Sequence, residues 1–97
     1  MRDLYPIGYS QHTVTTSAVT SLDETLIVQS VENVVITIEN FNIRYRVDGS
    51  NPTSNTGHLV ANGLYLSFDD AKSIRNFRCI AIGGNATLCV TYYAARR

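Results

Sequence analysis

Residues 42–68 read NIRYRVDGSNPTSNTGHLVANGLYLSF, and the fold class turns on how this stretch alternates. Ile43, Tyr45 and Val47 fall on one side of an extended chain, with Arg44, Arg46 and Asp48 on the other. Apolar–polar alternation at period two marks a strand with one face in a core and one in water. Asp48-Gly49 supplies turn chemistry at its end. Residues 50–57 (SNPTSNTG) predict a loop from which nothing enters a core. Pro52 lacks a donor there and drives Asn51 to extended geometry. Residues 58–61 are short and partly apolar, Asn62-Gly63 turns the chain, and Leu64, Leu66 and Phe68 then recur in phase.

Upstream, residues 34–39 (VVITIE) set Val34, Ile36 and Ile38 against Val35, Thr37 and Glu39. The short link Asn40-Phe41-Asn42 predicts a hairpin between this strand and residues 43–47. Residues 25–30 (TLIVQS) predict another strand, and Leu22-Asp23-Glu24 a polar turn. Residues 12–19 are Thr-rich and read as an edge strand. Residues 1–11 have no clean period and are assigned to an extended N-terminal arm, with residues 12–97 as a single β-sandwich domain. Two readings of the arm stand open: a disordered tail, or a segment whose Tyr5 and Tyr9 pack on a neighbouring subunit.

Downstream, Asp69 is the expected helix N-cap and Asp70 suits a first turn. Residues 76–82 and 86–93 predict two closing strands joined by Gly83-Gly84-Asn85. As a hairpin they would place Cys79 opposite Cys89 and gather Ile80, Ile82, Leu88 and Val90 on one face. Tyr92 and Tyr93 point to opposite faces, one to core and one to surface. About seven to eight short strands and no long helix predict an all-β chain. The expected architecture is an antiparallel β-sandwich or jelly roll, with a small barrel as the alternative.

The chain has 97 residues, enough for one domain that buries roughly two-thirds of its unfolded surface. Charged residues make up 16% and the formal net charge is zero, which argues against direct nucleic-acid binding. No apolar run approaches the ~20 residues of a membrane span, and the first residues lack the apolar stretch of a signal peptide. Without that signal, Cys79 and Cys89 read as thiols of a reducing cytoplasm, a cross-strand disulfide being the other option. Their spacing does not suit zinc. His12 and His58 have no ligand or catalytic partner at a recognisable spacing, and no GxSxG elbow is present. No catalytic, cofactor or metal residue is assigned, and an enzyme is not expected.

Arg44 and Arg46 share a strand face beside the polar loop, as a contact surface for carboxylate or phosphate or as a solvated face. With Asn51 and Asn55 of the loop, and with Tyr5, Tyr9 and Tyr93, they form the candidate partner-binding set.

Four segments carry a resemblance. They are Arg44-Tyr45-Arg46-Val47-Asp48-Gly49, the Pro52-Thr53 to Gly57 loop, Ile74-Arg75-Asn76-Phe77-Arg78-Cys79-Ile80, and residues 86–93 (ATLCVTYY). Together they resemble a group of small structural proteins of tailed bacteriophages, over residues 33–93. The resemblance implies a virion structural protein, foremost a head cement or decoration protein that binds major capsid subunits as a homo-oligomer, trimer or dimer. A head–tail connector component, or a receptor- or glycan-binding module of a tail or fibre, is the alternative. It implies location in the phage head after assembly in the host cytoplasm, with no membrane partner. It brings no catalytic residues and no cofactor.

Overall fold

The computed structural model describes residues 3–23 and 31–96. The strand expected at residues 25–30 lies outside them. Eight strands are present among the described residues: β1 (Asp3–Val14), β2 (Thr20–Ser21), β3 (Val31–Glu39), β4 (Asn42–Arg46), β5 (His58–Val60), β6 (Tyr65–Phe68), β7 (Arg78–Ile82) and β8 (Ala86–Arg96). One short helix, α1 (Ala71–Asn76), precedes β7.

The strands form two antiparallel four-stranded sheets, ordered β1-β8-β3-β6 and β2-β7-β4-β5. First pairs with last, second with seventh, third with sixth, and fourth with fifth. A long antiparallel ribbon rolled into a sandwich gives this order, which is that of a jelly roll. The all-β antiparallel sandwich expected from the alternation is therefore the architecture present.

The core lies between the sheets. Val34, Ile36 and Ile38 of β3 face Ile43 of β4, and Leu88, Val90 and Tyr92 of β8 join them; none is more than 1% exposed. Tyr45 and Val47 pack against this cluster from the β4 side. At one end the rings of Tyr45, Phe68 and Phe77 meet with centroids 5.7–5.8 Å apart. Ile74 of α1 plugs the same core at 2% exposure. The helix is capped by Asp70, one residue later than expected, whose Oδ2 accepts from the Ser73 N–H at 2.9 Å.

Two predicted hairpins do not form. β3 and β4 belong to different sheets, so residues 40–41 cross the sandwich, with Asn40 at φ +78°. β7 and β8 are likewise split between sheets. Cys79 therefore lies beside Thr20 and Tyr45, and Cys89 beside Gln11 and Thr37; both thiols are free. The phase of β7 is also opposite to expectation. Phe77, Cys79 and Ala81 enter the core cluster, whereas Ile80 is the cross-strand neighbour of Arg44 on the other face. The physical reason is common to both corrections. A link of two or three residues can turn back into the same sheet or step across to the facing one. Stepping across lets each apolar face meet a second sheet.

Residues 12–14 continue β1, and residues 15–19 leave the sheet. The boundary drawn at residue 11 thus falls inside one strand, and residues 3–11 pair along β8 with a bulge between Pro6 and Gly8.

Candidate interaction surface

All the candidate residues but Tyr5 divide between the outer faces of the two sheets. On the first sheet, strand alternation turns one row set outward. Tyr9, Thr91, Val35 and Ser67 form one cross-strand row, and Gln11, Cys89, Thr37 and Tyr65 form the next. Thr13, Thr87 and Glu39 follow, and Pro6, Tyr93 and Asn33 close the other end. Tyr9 is 57% and Tyr65 69% exposed. Glu39 is the one charged side chain in these rows. The face is thus rich in Tyr and Thr and nearly uncharged. Aromatic-rich patches depleted of charge are the compositional mark of interface centres.

Cys89 sits in the middle of this face and is half-buried. Its thiol, with lesser contributions from burial and the charge of Glu39, pushes the Tyr9 hydroxyl above its ordinary value. That hydroxyl also donates to Gln11 Oε1 at 3.0 Å. Tyr93 is half-buried on the same face. Tyr5, by contrast, is opposite Ala94, whose side chain is buried, so it belongs to the other side of the sheet's rim.

The second surface contains Arg44, Arg46 and the loop of residues 50–57. Arg44 is committed to that loop: its Nε donates to the Ser54 carbonyl at 3.0 Å and its Nη1 to the Gly57 carbonyl at 2.9 Å. Gly57, at φ +126°, lies so close to β4 that an added Cβ would sit 3.0 Å from the Tyr45 carbonyl oxygen. Pro52 is buried, so one loop residue does leave solvent, against the expectation from composition. Arg46 forks onto Asp48, and this pairing, chiefly its hydrogen bond, holds the Asp48 carboxyl below its ordinary range. An open cleft of about 420 Å³ lies between this pair and Thr56, Gly57 and His58. Asn51 and Asn55 stand exposed on the loop. Arg44 is thus a brace that shapes the loop, and the Asn side chains stay on its exposed side.

A third polar group escapes the reading by motif. Tyr92 OH lies 2.7 Å from Ser10 Oγ and accepts from the Asp23 N–H at 3.0 Å; Ser10 Oγ lies 2.9 Å from His12 Nε2. Ser10 and His12 are two residues apart on β1 and hence on one face. Their spacing was the available signal, but Tyr92 and Asp23 join them only through the fold. The group ties β1, β8 and the end of the β2 segment together.

Comparison of the chain with protein-family models, curated proteins and solved structures returns no match.

Proposed function

We propose that the chain is a virion structural protein, a cement or decoration protein of a tailed-phage head that works by binding major capsid subunits. The carrying observation is the nearly uncharged Tyr/Thr face of the first sheet, with Tyr9 and Tyr65 exposed on it. A sheet face can cover a seam between neighbouring subunits without folding on contact. Apolar area buried across such seams offsets the outward stress of packaged DNA, because a ligand that binds only the intact shell stabilises it. The jelly-roll order supports this by analogy only, since viral capsid domains share it with lectins and cupins. The segments at residues 44–49, 52–57, 74–80 and 86–93 carry the resemblance to tailed-phage structural proteins, and low charge with a short chain favours a head cement protein among them.

The test uses expanded, emptied capsids of the phage that carries the protein. Wild-type chain should co-sediment with them and raise their heat-rupture temperature. Thr37→Arg puts a charge at the centre of the face, on an exposed position, and should weaken capsid binding at least about tenfold, the scale set by burying an unpaired charge at an interface. Failure of the wild type to bind and to shift rupture ends the proposal. Equal binding by wild type and Thr37→Arg moves the contact off this face.

A further inference from the structure

Each sheet has two edges, and three of the four edge strands are short. β2 has 2 residues, β5 has 3 and β6 has 4, the last followed directly by Asp69 and Asp70. Short strands and nearby charge are the usual protection of a sheet edge against pairing with another chain. β1 is different. It runs 12 residues along the edge of the first sheet, and among the described residues β8 is its only strand partner. Pro6 and the bulge before Gly8 interrupt its first half. From Gly8 to Val14 its pairing with β8 is regular. No Asp, Glu, Lys or Arg occurs anywhere in residues 4–22. Every second residue of this half turns its N–H and C=O away from β8, and among the described residues no other strand pairs with them.

We propose that two copies of the chain pair antiparallel through residues 8–14 of β1, joining their first sheets into one continuous sheet. The occupant is a second copy because the strand complements itself. A two-fold centred on Gln11 sets Tyr9 opposite Thr13 of the second copy on the outer face. On the inner face it sets Ser10 opposite His12, with Gly8 opposite Val14 at the ends. Aromatic–β-branched pairs such as Tyr–Thr favour strand pairing, and with no charges in the segment no like-charged pair arises. An edge-to-edge contact about a two-fold closes on itself, so it predicts a dimer and no larger ring. It also joins the Tyr/Thr faces of both copies into one platform. This deepens the assembly role proposed above and rests on it for purpose, but self-association and capsid binding are measured separately, so either fails alone.

The test is mass in solution. Light scattering and sedimentation velocity of the wild type should give about twice the 10.7 kDa chain mass at high concentration, falling toward the monomer on dilution. Gln11→Lys places two ammonium groups opposite each other at the two-fold and should raise the dimer dissociation constant about fivefold or more. Gln11 is exposed, so circular dichroism and melting should match wild type. A second variant does not depend on that charge. Gln11→Cys in a Cys89→Ser background brings the two introduced thiols within ~5.5 Å (Cβ–Cβ) and should give an oxidised dimer that reductant cleaves. The Cys89→Ser change removes the intrachain neighbour that would otherwise compete, since Gln11 pairs with Cys89. A monomer at all concentrations overturns the proposal. So does a trimer, or a dimer that is indifferent to Gln11→Lys and cross-links through native Cys89 in place of position 11, which would put the contact on the sheet face.

Discussion

Tyr92 shows how one side chain serves both packing and polarity. Its ring has no exposed surface, yet its hydroxyl bridges Ser10 and the Asp23 N–H. Tyr92→Phe keeps the ring and strands a backbone donor, so it should cost about 1–3 kcal/mol in urea unfolding, with unchanged slope. Cys79 contributes a pH dependence at alkaline pH, beside Tyr92, whose hydroxyl burial also pushes up. Burial pushes its thiol from 9.0 up to about 12. Below the lower value neither folded nor unfolded chain ionises there, and the stabilisation is whole. As pH climbs from 9.0 toward about 12 the unfolded chain loses its proton first, and stability falls until the folded thiol ionises too. Melting temperature should therefore drop across that interval, and Cys79→Ala should flatten the drop while lowering melting at neutral pH. A slope identical to wild type would show that this thiol is not the group responsible.

At the scale of elements, β1 differs most from its sequence reading. Residues 1–11 look like an arm because Pro6 and Gly8 break the alternation of Leu4, Tyr5, Ile7 and Tyr9. The bulge between Pro6 and Gly8 absorbs that break, and the strand pairs with β8 on both sides of it. Ile7 packs against the core, and Ser10 reaches Tyr92. Deleting residues 1–11 should therefore remove a sheet edge from the fold and cost on the order of 3 kcal/mol or more, from lost ladder bonds and apolar burial. Thermal melting of the chain from residue 12 onward checks this. Melting equal to the full chain would make the segment an independent arm. Strand phase was more legible where one face was wholly apolar. Val34, Ile36 and Ile38 face the core as their alternation requires. Residues 79–82 (CIAI) are apolar in both phases, so within them alternation does not choose between Cys79-Ala81 and Ile80-Ile82, and Arg78 is the one residue whose phase marks the second set as outward. The large ring of Phe77, stacked on Tyr45 at 5.7 Å, goes inward with the first set.

For the molecule as a whole, the strand partners are far apart in sequence. β1 closes onto β8 with Ser10 beside Val90, so no local window of sequence contains the pairing. The candidate surface has the same origin. Tyr9, Cys89, Thr37 and Tyr65 become neighbours only when four strands from across the chain line up, whereas Arg44 and the residue 50–57 loop are near in sequence. The loop's role still changed, because the carbonyls of Ser54 and Gly57 take the Arg44 guanidinium and leave the Asn tips outward. By itself the sequence determined that the chain is all-β, where most strands lie, and that Ile43, Tyr45 and Val47 face a core, because period-two burial is a local property of an extended chain. Only the tertiary structure decided that the short links at residues 40–41 and 83–85 cross between sheets, that the order is a jelly roll, and that Cys79 and Cys89 part. A short link fits either topology locally, and the choice is made by which facing sheet each apolar surface can cover.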